Sequence, residues 1–278
     1  MENFMLFFEH LPAWQKLAWI VICMSACWML EGQYPLFRFQ YQKWKHAKVN
    51  FVFLFTTLLI NLGFGALTLG VFTWIEQKQI GLYYLVNWPL WAKFLLALAI
   101  MDLIAQYFVH FLLHKIRFMW RFHLIHHSDT KVDVTTGTRH HPVDYLFREV
   151  FSLIAVIISG APLAFYLAYR IITVFFTYFT HANITVPEWL DSPLRLLFVT
   201  PNLHKFHHHH ERPWTDSNYG NILSVWDRLF GTYTYGKLQE VHYGLDILNP
   251  EKDEEIAYQM ALPFTIKQLD KPMQAERR

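Results

Sequence analysis

The chain has 278 residues, of which 54% are hydrophobic, 18% aromatic and only 17% charged, and its mean hydropathy is +0.17. Such a balance points to a membrane protein rather than an ordinary soluble globule. With a formal charge of +2 and its cations confined to particular loops, the chain lacks the broad basic face of a nucleic-acid binder, so nucleic acid is not an expected partner.

The first dozen residues are acidic and aromatic, without the basic start and small-residue cleavage site of a signal peptide, so the first apolar segment is expected to stay as an anchor. A helix needs about 20 mainly apolar residues to cross the hydrocarbon core. Stretches at 14–30, 51–75 and 90–113 qualify. Cys23 and Cys27 lie one helical turn apart in the first, as small buried hydrophobes rather than a disulfide or cluster ligand set. A fourth apolar region, 150–180, is interrupted by Ser159-Gly160-Ala161-Pro162, which favours a break and hence a hairpin of two short helices.

Positive charge sets sidedness. The loop between the first two spans carries Arg38, Lys43, Lys45 and Lys48, whereas the next has little beyond Lys78, so the former is expected on the cytoplasmic side. Threading onward brings the end of the third span and both ends of the hairpin to that same side. Residues 115–147, with Arg117, Arg121, Lys131 and Arg139 among aromatics, read as a cap against the headgroups. Ile222, Leu223, Trp226, Leu229 and Phe230 recur at helical spacing, as in a helix packed on the cap, and from Pro250 onward the chain reads as a charged peripheral tail. The expected fold is therefore all-α and integral to the membrane: about three transmembrane helices, a membrane-embedded helical hairpin, and a cytosolic helical cap. The expected divisions are 1–94 for the N-terminal spans and their loops, 95–235 for the core with the hairpin, and 236–278 for the tail.

Eight histidines fall into three tight groups in this core: His110 and His114, then His123, His126 and His127, then His204, His207 and His208. The last two groups share the spacing HxxHH. Residues three and four apart share a helix face, so each group is expected to aim its imidazoles at a common point. Imidazole suits Fe, Zn, Cu or Ni, and eight ligands exceed the ordinary coordination number of one ion, so two metals are the natural reading. The run at 207–210 lies mid-chain, continuous with Thr200-Pro201-Asn202-Leu203-His204, and is not a tag, while His209 and His210 leave the ligand face and are expected to be solvated. A zinc hydrolase would need HExxH, which is missing. A non-enzymatic metal-binding or transport protein is the remaining alternative, although transport sites lie near the bilayer midplane on broken helices.

The string Asp102, Tyr107, His110, His114, Trp120, His123, His126, His127, Ser128, Arg139, His141, Pro142, then Phe179-Thr180-His181, Thr200-Pro201, the last HxxHH, Asn218-Tyr219-Gly220 and 226–232 resembles the integral-membrane fatty acid hydroxylase and sterol desaturase superfamily. The resemblance covers about residues 95–235. It implies a non-haem di-iron oxygenase that uses dioxygen to hydroxylate or desaturate a lipid C–H bond, with the eight histidines as iron ligands and His181 as a further ligand or close partner. Such chemistry needs a redox metal with an open position, which favours iron over zinc. Asp102 and Asp227 are candidates to orient imidazoles through their second nitrogen. Arg139 and His141 match the family string without a derivable role. No CxxC, haem insert or dinucleotide turn accompanies the motifs, so a separate reductase or electron carrier is expected to dock on the cytoplasmic face, where Lys115, Arg117 and Arg121 could attract it. The substrate is expected to arrive from the bilayer into a pocket lined by the hairpin residues Ile172, Phe175 and Phe176.

Overall fold

The computed structural model describes residues 2–211 and 214–266. A short α1 (Glu2–Glu9) precedes α2 (Ala13–Gln33), which starts where Pro12 sets an extended backbone. Then follow α3 (Lys43–Lys78), the single turn α4 (Leu82–Leu85) and α5 (Leu90–Asp102). A π-helical stretch, Leu103–Phe108, joins α5 without a break to α6 (Val109–Lys115). The cap begins with α7 (Arg117–His127) and a 3-10 turn, Val134–Thr138. Two long helices, α8 (Pro142–Ser159) and α9 (Leu163–His181), are followed by α10 (Glu188–Leu194), α11 (Pro201–His207), α12 (Val225–Leu229) and α13 (Ile256–Thr265). Among the described residues there is no strand, only isolated bridges. The fold is that of an all-α membrane protein.

Four helical segments are long and apolar enough to cross a membrane: Ala13–Gln33, Lys43–Leu85, Leu90–Lys115 and Leu163–His181. The second is longer than the apolar stretch in the sequence suggests. At about 1.5 Å per residue, the 36 residues of α3 span more than a bilayer core of about 30 Å. Its first two turns lie in the cap, where His46, Ala47, Val49 and Asn50 are buried. Lys43, Lys45 and Lys48 are therefore on the helix, not in a loop.

The break at 159–162 makes the expected hairpin, with full-length arms rather than short ones. Gly160 caps α8 at φ +63°, a left-handed conformation that favours glycine, and Pro162 starts α9. The arms return to one level: His140, just before α8, and His181, the last residue of α9, both pack on the ring of His126. On α8 the residues Leu146, Val150, Ile154 and Ile158, four apart, form an exposed apolar stripe, while Asp144, Glu149 and Ser152 are buried on the inner face. Its three charged residues, Asp144, Arg148 and Glu149, set α8 apart from the four candidate spans.

Two cores position the site. Within the helical bundle, Phe72, Ile75, Met101, Ala155, Phe165 and Tyr169 knit α3, α5, α8 and α9 together. Beneath the cap, Val49 and Phe53 of α3 meet Leu124 and Ile125 of α7 and Leu262 and Ile266 of the tail. Full burial of each such aliphatic side chain contributes about 1.5–3 kcal/mol. The segment expected to be a peripheral tail thus seals the back of α7, up to the last described residue. Residues 267–278 of that tail lie outside the described residues. The helix expected around 222–230 is shorter than its spacing implied, since only Val225–Leu229 is helical and Leu229 and Phe230 are exposed.

Candidate metal centre

All nine histidines singled out in the sequence converge, but not in their sequence groups. His110, His114, His123, His127 and His207 form one cluster and His126, His181, His204 and His208 a second, each with its ligand-capable atoms within 4.8 Å of one another. Each HxxHH motif is split. Residues four apart on a helix differ by about 40° in direction while those three apart differ by about 60° the other way, so His123 and His127 of α7 face one cluster and His126 the other. On α11 the division is reversed: His204 and the capping His208 go to the second cluster and His207 to the first. The clusters adjoin, with the His127 and His208 rings stacked 4.7 Å apart. The π-helical stretch immediately before His110 sets the phase from which α6 presents His110 and His114, a common use of such bulges.

Five of the outer nitrogens are tied down. His110 Nδ1 donates to the carbonyl of Tyr219 at 2.9 Å, His207 Nδ1 to that of Ser217 at 2.7 Å and His181 Nδ1 to that of Thr177 at 2.7 Å. His114 Nδ1 meets Asp216 at 3.1 Å and His123 Nδ1 meets Asp144 at 3.0 Å. Carbonyls and carboxylates only accept, so these five rings carry their proton on Nδ1 and turn a bare Nε2 lone pair inward. Yet the Nε2 atoms of His110 and His123 stand 3.1 Å apart, and His181 Nε2 is 3.1 Å from the Nε2 atoms of both His126 and His204. Nε2 of His114, His127, His207 and His208 is buried without a partner. Facing lone pairs repel unless a cation lies between them. Two nitrogens at right angles, each about 2.1 Å from one ion, would stand about 3.0 Å apart. Burial pushes the His123 ring down to about 3 even against the carboxylate of Asp144, so it is neutral as ligation requires. The donor set fits two metal ions.

Asp144 and Asp216, which the sequence reading missed, do the work it expected of Asp102 and Asp227. Asp144 also receives His140 Nδ1 at 3.1 Å, and the His140 ring stacks on His126 at 4.6 Å. The one sequence signal was local: His140 and Asp144 are four apart across a helix start. Neither of the predicted carboxylates touches an imidazole. Asp102 accepts from Trp226 Nε1 at 2.8 Å and the backbone N–H of Leu223 at 3.1 Å, tying α5 to the loop before α12. Asp227 accepts from the N–H groups of Tyr219 and Gly220 and from Thr232, and so fixes the segment whose carbonyl holds His110. Burial pushes the Asp227 carboxyl up to about 6.

Arg139 is fully buried and binds the Ile125 carbonyl, Ser128, Asn50 and the Asp253 carbonyl, so it joins α7, α3 and the tail behind the metal ligands without touching an imidazole. His141 caps α8 by accepting from the N–H of Val143. His209 is not solvated as expected: it is buried and bonded through Nε2 to the Glu240 carbonyl, whereas His210 is half-buried. Two further polar groups escaped the sequence reading. Glu31, near the end of α2, accepts from the N–H groups of Val134 and Asn183, and Lys205 donates to the His181 carbonyl, with burial pushing its ammonium down to about 7.

A cavity of about 180 Å³ opens beside the clusters, lined by His110, His126, His181 and His204 at one end. From α9 it takes Arg170, Thr173, Val174, Thr177 and Tyr178, the face opposite to the one expected. Ile172 and Phe176 instead pack into the bundle core, and Phe175 is exposed toward lipid.

A family model for fatty acid hydroxylase matches residues 94–232. The chain belongs to that family of histidine-rich membrane proteins. It is 36% identical over 147 residues to an ornithine lipid hydroxylase of Rhizobium tropici, covering 53% of this chain and 43% of the relative. It is 27% identical over 180 residues to human alkylglycerol monooxygenase, covering 64% and 38%, and 26% identical over 185 residues to chicken methylsterol monooxygenase 1, covering 64% and 60%. The chain thus spans about two fifths of the length of the first two of these relatives. No solved structure matches the chain.

Proposed function

We propose that the protein is a di-iron lipid hydroxylase of the membrane. The observation that carries this reading is the pair of adjoining clusters of five and four imidazoles, with lone pairs turned inward beside a cavity at the end of the membrane helices. The three relatives named above, two monooxygenases and a hydroxylase, all act on lipids, which favours oxygen insertion over desaturation.

Nine histidines would hold the metals: His110, His114, His123, His127 and His207 the first, His126, His181, His204 and His208 the second. When bound, the iron pair supplies the redox chemistry by which dioxygen is activated toward an inert C–H bond. The chain's own groups do the rest. Asp144, Asp216 and the carbonyls of Tyr219, Ser217 and Thr177 hold the Nδ1 protons of five of these rings and fix their direction. Inserting one oxygen atom and reducing the other to water consumes two electrons and two protons beyond the C–H bond, which is the role of a separate reductase or carrier protein.

The site faces the cytoplasm in this reading. In support, the lysines at the start of α3 share the cap with the histidines: Lys45 of α3 pairs with Glu254, which also meets Lys131 of the cap. Cysteines placed at Lys45 and Lys237 should be labelled from the cytoplasmic side and one at Lys78 from the other. Metal analysis of purified protein should find iron near two per chain, and lipid profiles of cells with and without the gene should differ by an oxygenated lipid. Stoichiometric zinc with unchanged lipids would sink the reading.

A further inference from the structure

The cavity is not the uniformly apolar tunnel that a hydrocarbon chain alone would need. Its apolar wall comes from Ile20, Leu54, Leu58 and Val174, while Arg148 and Arg170 enter from the hairpin arms. The two arginines differ in how they are satisfied. Both terminal nitrogens of Arg170 are occupied: its Nη1 binds Glu149 at 2.8 Å and its Nη2 binds both Asn61 and Tyr145 at 2.9 Å. Arg148 gives only Nε to the protein, to Asp144 Oδ1 at 3.1 Å. Its Nη1 and Nη2 meet no acceptor among the described residues, although the side chain is only 15% exposed.

The open guanidinium edge lies at a cavity wall and leaves donors free for a ligand. Its planar pair of N–H groups matches the two oxygens of an acid. The position is also specific. The same carboxylate that anchors Arg148 orients His123, so the open edge lies one residue removed from a candidate metal ligand. We propose that Arg148 receives the acidic group, carboxylate or phosphate, of the lipid substrate, while the apolar wall of the cavity receives its chain. The substrate class is then an anionic lipid, oriented with its acid next to the metal centre. This rests on the oxygenase reading for the cavity's being a substrate site, but not for its affinity.

Binding is therefore measured without turnover, on purified protein in a neutral detergent with no electron donor. The probes are N-lauroylglycine, its methyl ester and dodecyl phosphate. The wild type should bind at least one of the two acids about 10- to 100-fold more tightly than the ester, and the tighter acid identifies the headgroup chemistry. Arg148→Gln should abolish that preference and leave ester affinity unchanged. Arg148→Lys, which keeps a cation beside Asp144, should weaken it with metal content retained. Equal binding of acids and ester by the wild type would overturn the proposal even if the glutamine variant fails to fold. So would a preference that survives in a folded Arg148→Gln. Acid preference in a protein that oxidises no lipid would leave the binding site standing and refute the oxygenase reading instead.

Discussion

Asp144 and His123 are joined by a 3.0 Å contact between carboxylate and Nδ1, across 21 positions of sequence and between the hairpin and the cap. The same carboxylate holds His140 and Arg148, so one side chain at the start of α8 orients a candidate ligand, a ring stacked on another ligand, and a cation of the cavity. Removing its charge should loosen all three. Asp144→Asn should lower metal affinity by about 10- to 100-fold, as losses of such supporting groups do, while membrane insertion is unchanged. Chelator competition against wild type measures it, and equal affinity would show that His123 needs no orienting partner.

The split of the HxxHH motifs makes a second prediction. His126 and His204 belong to one cluster although they come from different motifs, while His126 and His123 share a motif and are divided between clusters. Alanine substitutions in one cluster should be strongly non-additive in metal affinity, because the first already disables the position. Substitutions in different clusters should be closer to additive. The double variants His126→Ala/His204→Ala and His123→Ala/His126→Ala distinguish these outcomes. His242→Ala, on the exposed surface, is the neutral control. Stronger coupling within the motif than within the cluster would mean that the sequence groups, not the spatial ones, are the metal sites.

Much of this arrangement is legible in the sequence because its signals are local. Twenty-residue apolar stretches, a Gly-Ala-Pro break and imidazoles at helical spacing each declare themselves within one window of chain. What the sequence hides depends on how helices face one another. Which cluster a histidine joins depends on the mutual rotation of α7 and α11, and Asp216 reaches His114 across 102 positions. Asp102 and Asp227 drew attention as acids near the motifs, yet their partners are backbone N–H groups, an indole and a threonine hydroxyl, which no spacing announces. The face of α9 that lines the cavity was misjudged for a related reason. Apolarity marks both lipid-facing and core-facing residues in a membrane helix, so Phe175 and Phe176 looked like a tunnel wall when the wall is the more polar Thr173 and Thr177.

That face supplies a third prediction. Thr173 and Thr177 lie one turn apart on the cavity side of α9, so Thr173→Leu should fill space in the cavity and change which lipid, or which carbon, is oxidised. Iron content should stay constant, since Thr173 touches no imidazole. Phe175→Leu faces lipid and should leave selectivity alone. Product analysis on a mixed lipid pool reads both. A selectivity change in the second variant but not the first would put the substrate on the outer face of the helix.

The turn that makes the hairpin return is the most constrained backbone in the bundle. Gly160 sits at φ +63° with its Cα facing the loop after α3, and a Cβ built there would lie 2.3 Å from the carbonyl oxygen of Ile80. The reciprocal contact is as close, since a Cβ on Gly81 would lie 2.3 Å from the backbone nitrogen of Gly160. Gly160→Ala combines a left-handed backbone, costing about 1–2 kcal/mol, with overpacking that costs about 1–3 kcal/mol. A loss of about 2–5 kcal/mol is therefore expected, read as a lower denaturation midpoint of the purified protein in detergent. Gly231→Ala separates the two causes: its φ is +70° but nothing lies within 4 Å of the added carbon, so only the backbone cost of about 1–2 kcal/mol applies. Equal losses in the two variants would mean that the loop after α3 does not press against the hairpin tip, and that α8 and α9 are held in register by their inner faces alone.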